Sequence, residues 1–218
     1  MPLSPEILFE DADLAAVSKP SGMRTEGGHA STGLSLEDWA ISHFGDRARC
    51  CHRLDRLTSG VVLIRKNRRF NSALAEMFAK RRIKKSYWAL TEGRWPKGVN
   101  SVEAPIDRCA EGKLQRVCES GKPAKTTIRI RGFDPDNHVS WVELILKTGR
   151  THQARVHCSH IGCPILGDID YGANERQGIF GLHARGLKFI HPGTQEALIV
   201  SAEPPAGWAT FIDAMKRE

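Results

Sequence analysis

One short stretch carries the side chains best suited to chemistry, the nine residues HRLDRLTSG at His52–Gly60. It places a single carboxylate, Asp55, between two arginines, and four apolar residues, Val61–Ile64, follow it as a predicted buried strand. A loop that leads directly into the core can hold a reactive side chain rigidly. The pattern therefore indicates a positioned carboxylate, although a surface loop whose aspartate pairs with its neighbours has the same spacing.

The chain resembles the RluA-type pseudouridine synthases in several motifs. HRLDRLTSG closely resembles the signature of that family, and the chain contains four other motifs of the family in the family's order. These are AVSKPSGM at Ala16–Met23, KSYWAL at Lys85–Leu90, TGRTHQARVH at Thr148–His157 with GCPILGD at Gly162–Asp168, and GLHARGLKFIHP at Gly181–Pro192. A single short motif is weak evidence, whereas five motifs in order identify the chain as a member of the family.

The resemblance implies an isomerase that converts uridine in RNA to pseudouridine. The reaction breaks the bond between uracil N1 and ribose C1′, turns the base and joins C5 to C1′. By resemblance the catalytic carboxylate is Asp55, acting as a nucleophile or as an ion-pair partner. Attack at C1′, attack at C6 and stabilisation of a glycal-type intermediate all remain open at this point.

Two further catalytic residues follow from the resemblance. Tyr87 matches the active-site tyrosine, which can stack on the uracil and place its hydroxyl near C5. Arg155 matches the arginine that is expected to hold Asp55 ionised through a bidentate pair, because burial alone raises the pKa of a carboxyl group. Arg150 in the same loop is the alternative cation. Without the resemblance, Tyr87 is equally a half-buried strand residue, and Arg155 is a helix-surface arginine.

Four residues are predicted to bind the substrate nucleotide, namely His52, Arg53, Arg150 and Lys19. The target base must leave the RNA stack to reach Asp55. Arg53 and His52 lie beside Asp55 and could fill the space that the base vacates, with Arg53 the better candidate. Lys19, in the Lys-Pro-Ser-Gly turn, is expected to support the loop or a phosphate.

Positive charge is concentrated around the Asp55 motif. The chain has 218 residues and a formal net charge of +7, but the segment from Asp46 to Arg94 alone has 14 Lys and Arg against four Asp and Glu. A basic segment of this kind is typical of RNA-binding surfaces, although a solvated helix face has the same composition. The predicted RNA-binding residues are Arg68, Arg69, Arg81, Lys84 and Lys85.

The predicted partner is structured RNA, either a tRNA anticodon loop or a large-subunit rRNA hairpin. The chain is interpreted as one catalytic domain, residues 1–218, without the extra N-terminal RNA-binding domain of many relatives. We expect a cytoplasmic protein, because no stretch resembles a signal peptide or a membrane span. We also expect it to be a monomer. The resemblance implies neither a metal nor another cofactor.

Two other functions fit parts of the sequence. A non-catalytic RNA-binding protein would use the basic segment alone. A zinc-dependent hydrolase would use a cluster of His and Cys, although that cluster lacks the Cys-x-x-Cys and His-x-x-x-His spacings of zinc sites. The cluster consists of His152, His157, Cys158, His160 and Cys163.

The elements that position these residues read as α+β. The predicted helices are Ser35–Phe44 with a stop at Gly45, about Arg68–Arg82, His152–His160 and Trp208–Met215. The predicted strands are Ile7–Phe9, Leu14–Val17, Gly60–Ile64, Thr126–Arg131, Val139–Leu146, Phe180–His183, Leu187–Ile190 and Ala197–Ser201. Because strands and helices do not alternate regularly, we expect a mixed, largely antiparallel sheet. The resemblance implies that this central sheet is split into two lobes with the aspartate in a cleft.

Overall fold

The computed structural model describes residues 4–27, 34–108, 114–176 and 178–216. The helices are α1 (Leu36–Phe44), α2 (Asn71–Ala79), α3 (Gln153–His160) and α4 (Ala209–Met215). The strands are β1 (Glu6–Glu10), β2 (Leu14–Lys19), β3 (Arg49–Cys50), β4 (Ser59–Arg65), β5 (Lys84–Glu92), β6 (Ser101–Glu103), β7 (Ile106–Arg108), β8 (Gln115–Val117), β9 (Lys125–Asp134), β10 (Val139–Leu146), β11 (Leu182–Ile190) and β12 (Ala197–Ser201). The chain forms two compact units, unit 1 (Met1–Lys85 with His183–Pro204) and unit 2 (Ser86–Leu182 with Pro205–Glu218).

Unit 1 is built on the strand that follows Asp55. The order across its sheet is β1, β2, β4 and β11, and the pairs are antiparallel except for the parallel pair of β4 and β11. Val61 and Leu63 of β4 pack with α2 in the core of the unit. Val62 and Ile64 point to the opposite face by strand alternation and are also fully buried. β4 is therefore buried on both faces, as its continuous apolar run predicts.

The last residue of the Asp55 motif is fixed by the sheet. Gly60 pairs with Ala184 of β11 and has a φ of 108°, a conformation that L side chains rarely adopt. A Cβ atom at this position would overlap the carbonyl oxygen of Ala184. Only glycine meets both conditions, so the loop that carries Asp55 enters the sheet at a defined point.

The ends of α1 agree with the sequence prediction. Ser35 is the N-cap, and its hydroxyl accepts the backbone amide of Asp38, while the Asp38 carboxylate accepts the amide of Ser35. Gly45 is the C-cap, and its amide donates to the Ile41 carbonyl. Local capping chemistry is sufficient to fix both ends.

Helix α2 is shorter than the predicted span of Arg68–Arg82. The Asn67 side chain accepts the amide of Arg69 at 2.9 Å, which holds the preceding chain in a turn. At the other end Arg81 has a φ of 55°, in the left-handed region, and the chain turns from there into β5. Several of the basic residues therefore lie in the turns that flank α2.

Unit 2 carries a second group of strands, in the order β5, β10, β9 and β6, with every pair antiparallel. β7 and β8 form a separate antiparallel pair. Helix α4 packs its Phe211 and Ile212 with Trp141 of β10. Val156 of α3 packs in another cluster with Tyr171.

The predicted α+β class with a mixed, largely antiparallel sheet is confirmed. The predicted strand Leu187–Ile190 and the last two residues of the predicted strand Phe180–His183 belong to the single strand β11, because Gly186 stays extended and pairs with Ser201. Within the described ranges, no helix is long and apolar enough to cross a membrane.

Candidate active site

The Lys19 side chain lies at the centre of the loop region of unit 1. Lys19 has no exposed surface, and its ammonium donates to three backbone carbonyls, those of Pro20 at 3.1 Å, Met23 at 2.7 Å and Arg56 at 3.1 Å. Burial lowers the pKa of Lys19 to about 8, and attraction to Asp55 opposes that shift. Lys19 therefore joins the Lys-Pro-Ser-Gly turn to the Asp55 motif and also places a positive charge near Asp55.

More hydrogen bonds join the same two segments. The buried Thr25 hydroxyl donates to the Leu54 carbonyl at 2.8 Å and accepts the Leu54 amide at 3.0 Å. The Gly22 amide donates to Arg56, and the Ser21 hydroxyl donates to Leu57. The backbone on both sides of Asp55 is thus held by groups of the preceding turn, so the loop is positioned before any substrate binds.

Asp55 itself is half-buried in this loop. Its carbonyl accepts the Thr58 amide at 3.1 Å, which closes a turn directly before β4. The Asp55 side chain and the Lys19 ammonium attract each other electrostatically. The region can therefore present a carboxylate from a rigid backbone with a cation beside it.

The residues before Asp55 have different surroundings. The His52 Nε2 accepts the Leu63 amide at 3.2 Å, and the ring contacts the Phe78 ring with the centroids 5.3 Å apart. Burial lowers the pKa of His52 well below its usual range, so the ring is neutral. Arg53 is exposed and pairs with Glu26 at 3.2 Å. His52 thus binds the loop to β4, whereas Arg53 remains accessible to a substrate.

A buried histidine supports the end of the motif. The His183 Nε2–H donates to the Ala202 carbonyl at 3.0 Å, so its Nδ1 accepts the hydroxyl of Ser59 at 2.9 Å. Burial lowers the pKa of His183 to about 4, which keeps this ring neutral near pH 7. Ser59 and Gly60 of the motif are therefore both fixed by β11.

Unit 2 holds the other two predicted catalytic residues. Tyr87 lies on β5, is 8% exposed and pairs in register with Leu144 of β10. Arg155 lies on α3, is 6% exposed and forms a bidentate pair with the buried carboxylate of Asp168, from Nε at 2.7 Å and from Nη2 at 2.6 Å. Asp168 therefore binds the edge of Arg155 that Nε and Nη2 form.

Other contacts complete the environment of Arg155. Its Nη2 also donates to Asp170 at 3.0 Å, and its guanidinium carbon lies 4.6 Å from the centre of the Tyr171 ring. The alternative cation, Arg150, donates from Nε to the Pro123 carbonyl at 3.1 Å. Arg155 is thus the more tightly held of the two.

Comparisons with known proteins agree on one family. A model of the RNA pseudouridylate synthase family matches residues 13–160. The chain belongs to that family. Ribosomal large subunit pseudouridine synthase C of Escherichia coli (strain K12) is 36% identical over 228 residues, which cover 98% of this chain and 71% of that protein. The RNA pseudouridine synthase YhcT of Bacillus subtilis (strain 168) is 33% identical over 208 residues, which cover 92% of this chain and 69% of that protein.

The fold comparison gives the same result. The solved structure of Human RNA Pseudouridylate Synthase Domain Containing 1 matches with a TM-score of 0.80 and 29% sequence identity, over 97% of this chain and 87% of that chain. The chain is accordingly an RNA pseudouridine synthase, an isomerase that acts on RNA.

In this pseudouridine synthase the predicted RNA-binding residues differ in their surroundings. Arg68, Arg69, Arg81 and Lys84 are exposed. Arg69 pairs with Asp13 at 3.3 Å, and Lys85 is half-buried with its ammonium 4.9 Å from the centre of the Phe78 ring. Burial lowers the pKa of Lys85. An RNA phosphate could therefore reach the exposed members directly from solvent.

The His and Cys cluster of α3 serves packing in this synthase. The His157 Nε2–H donates to the Ala104 carbonyl at 3.0 Å, and its Nδ1 accepts the Thr126 hydroxyl at 2.8 Å, so both nitrogens are used. Cys158 is fully buried, and burial raises the pKa of its thiol. In the part of the chain that the structure describes, no three His, Cys, Asp or Glu residues are grouped to hold a metal ion. The zinc hydrolase therefore has no support in these contacts.

Sequence reasoning missed three supporting residues. Thr25 gave no signal, because a single buried polar residue has no recognisable pattern. His183 stands inside the motif Gly181–Pro192, but nothing in the sequence shows that it binds Ser59. Asp168 stands inside a recognised motif, directly after Gly167, but nothing in the sequence shows that it pairs with Arg155. Its position 13 residues after Arg155 does not correspond to neighbours on one helix.

Replacing Lys19 by Met should change how stability depends on pH. The unfolded chain keeps the usual lysine pKa of 10.5, whereas the folded pKa is about 8. Between these values the unfolded state binds more protons, so the unfolding free energy of the wild type should rise with pH relative to Lys19→Met. The gain should approach about 3 kcal/mol over the whole interval.

Urea unfolding of both proteins at pH 7, 8, 9 and 10 measures this difference. A difference in unfolding free energy between the two proteins that stays constant from pH 7 to pH 10 would contradict the lowered pKa.

Proposed function

We propose that this synthase isomerises uridines in structured RNA with Asp55 as its catalytic carboxylate. The observation that carries the proposal is the loop of unit 1, in which Lys19 and Thr25 hold the backbone on both sides of Asp55. A carboxylate held in this way can attack the nucleotide or stabilise positive charge at C1′ without a further loss of conformational entropy. Nothing is added to or lost from the uridine, since the proton that leaves C5 is balanced by the proton that N1 gains.

Arg155 and Tyr87 are proposed to act in the same reaction. Both residues belong to unit 2, whereas Asp55 belongs to unit 1. Their assignment therefore rests on the motifs that they share with the family. With Nε and Nη2 held by Asp168, Arg155 would act on Asp55 or on the substrate through Nη1. Tyr87 would stack on the uracil, and its small exposed fraction fits a residue whose ring forms the wall of a pocket.

The predicted substrate-binding residues are proposed to have different roles. Arg53 is exposed beside Asp55 and is proposed to contact the extruded nucleotide. Lys19 and His52 are proposed to support the loop instead, because the Lys19 ammonium and the His52 Nε2 bind backbone groups. The family model covers residues of both units, which supports their acting as one catalytic domain.

Large-subunit ribosomal RNA is proposed as the substrate. Two relatives, from Escherichia coli and from Buchnera aphidicola, are named ribosomal large subunit pseudouridine synthase C and are 36% and 32% identical to this chain. A hairpin loop is the expected target, because an unstacked base costs less to extrude than a paired one. The other expected target is a tRNA anticodon loop. Mapping pseudouridines in total cellular RNA would distinguish the two targets.

Asp55→Asn should abolish isomerisation and leave RNA binding nearly intact. Asn keeps the shape of the side chain but cannot act as a nucleophile or an anion, so the rate should fall by more than about a thousandfold. Single-turnover conversion of rRNA transcripts measures the rate, and filter binding measures the affinity.

The matched control is Asp46→Asn, which removes an exposed carboxylate of the same unit. Its rate should equal that of the wild type. An Asp55→Asn rate within tenfold of the wild type would reject Asp55 as the catalytic carboxylate.

The exposed basic residues should contribute to RNA affinity through phosphate contacts. The double variant Arg68→Gln and Lys84→Gln removes two exposed charges beside α2. Each lost phosphate contact should flatten the dependence of log K on log salt by about 0.7–0.9, so the slope should change by about 1.5. Binding of an rRNA transcript at four salt concentrations measures the slope.

The control for this prediction is Lys97→Gln with Lys188→Gln, which makes the same charge change at exposed positions outside the basic segment. Its slope should match that of the wild type. Equal slopes for both double variants would show that the segment beside α2 is a solvated face and does not bind phosphate.

A further inference from the structure

One buried carboxylate accepts two of the described hydrogen bonds of the Arg155 guanidinium. Nε and Nη2 each donate to one oxygen of Asp168, and Nη2 also donates to Asp170. An arginine has five N–H groups in a fixed plane. The two carboxylates take three of them, and the remaining two belong to Nη1, which lies 3.4 Å from both ring nitrogens of His152.

The carboxylate that binds Arg155 lies in a rigid turn. The Asp168 carbonyl accepts the amides of Tyr171 at 3.0 Å and Ala173 at 3.1 Å. Gly167 before it has a φ of 77°, and a Cβ atom there would overlap the carbonyl oxygen of Ile179. The Asp168 backbone is therefore fixed on both sides, and its side chain fixes the plane of the guanidinium.

Burial makes the charges of Arg155 and Asp168 depend on each other. Asp168 is 1% exposed and Arg155 is 6% exposed, so neither charge can be satisfied by water. Asp170 differs, because its side chain is 61% exposed and its described bond to Arg155 is a single one, from Nη2. The orientation of Arg155 is thus set by Asp168, and Asp170 adds to it from the surface.

We infer that Asp168 is a positioning residue for isomerisation, which holds Arg155 so that Nη1 is the group presented to the reaction. The inference rests on the proposed role of Arg155 as the cation that serves Asp55. Asp168 acts only through Arg155, and it does not touch the uridine. Its removal should therefore lower the rate of the chemical step and spare the binding of RNA.

The test is a cycle of Asp168→Asn, Arg155→Lys and the double variant, with kcat and KM measured on an rRNA transcript. Asp168→Asn should lower kcat by about a hundredfold, the scale of a misplaced catalytic group, and change KM by less than about threefold. The double variant should be no slower than Arg155→Lys alone, because a positioning residue has no effect once the residue that it positions is altered.

Asp134→Asn is the matched control, because Asp134 is also a 1% exposed aspartate of unit 2, and the described bonds to its side chain come from the turn of Asp136 and Asn137. It should lose stability without a change in kcat. Circular dichroism and thermal unfolding confirm that each variant is folded. If Asp168→Asn does not fold, Asp168→Glu replaces it in the same test. This variant keeps the charge but moves it by one methylene, and its kcat should fall by about tenfold.

The outcomes separate this inference from the proposed function. If Arg155→Lys keeps the wild-type kcat, the proposed role of Arg155 fails, and the positioning role fails with it. If Arg155→Lys is inactive but a folded Asp168→Asn or Asp168→Glu keeps the wild-type kcat, only the positioning role is overturned. Multiplicative losses of kcat in the double variant would likewise show that Asp168 does not act through Arg155.

Discussion

The loop of unit 1 depends on the burial of one ammonium group among backbone carbonyls. Lys19 binds the carbonyls of Pro20, Met23 and Arg56, and so joins two segments 37 residues apart in the chain. Taking a charge out of water is costly unless it is paired and hydrogen-bonded, and here the carbonyls and the nearby Asp55 provide that compensation. The lowered pKa shows that the compensation is incomplete. The unit therefore keeps a destabilising charge at the place where it both fixes the loop and lies near Asp55, the proposed catalytic carboxylate.

Unit 2 solves a similar problem with a buried ion pair. Arg155 and Asp168 neutralise each other, and the bidentate geometry gives the guanidinium a single orientation. In both units a buried cation is held by acceptors whose positions the backbone determines. Glycines at tight positions, Gly60 in unit 1 and Gly167 in unit 2, make these backbone positions possible. The contacts that hold each unit together thus also orient the proposed catalytic residues.

Much of the fold could be predicted from local chemistry. The capping residues of α1 and the apolar run of β4 fixed those elements almost to the residue. The ends of α2 could not be predicted, because the apolar periodicity from Phe70 to Phe78 does not show where the Asn67 turn and the left-handed Arg81 bound the helix. The candidate catalytic residues came from the motifs, but their partners did not. The contacts of Lys19 with Arg56 and of Arg155 with Asp168 join residues that only the tertiary fold brings together.

The central claim is that this synthase makes pseudouridine in RNA with Asp55 as its catalytic carboxylate. Pseudouridine mapping of total RNA tests it most directly, in cells that lack the gene and carry either the wild-type chain or Asp55→Asn on a plasmid. We expect at least one uridine of large-subunit ribosomal RNA to remain unmodified without the gene, to be modified again with the wild-type chain, and to stay unmodified with Asp55→Asn. An identical set of pseudouridines in all three strains, or full restoration by Asp55→Asn, would contradict the account.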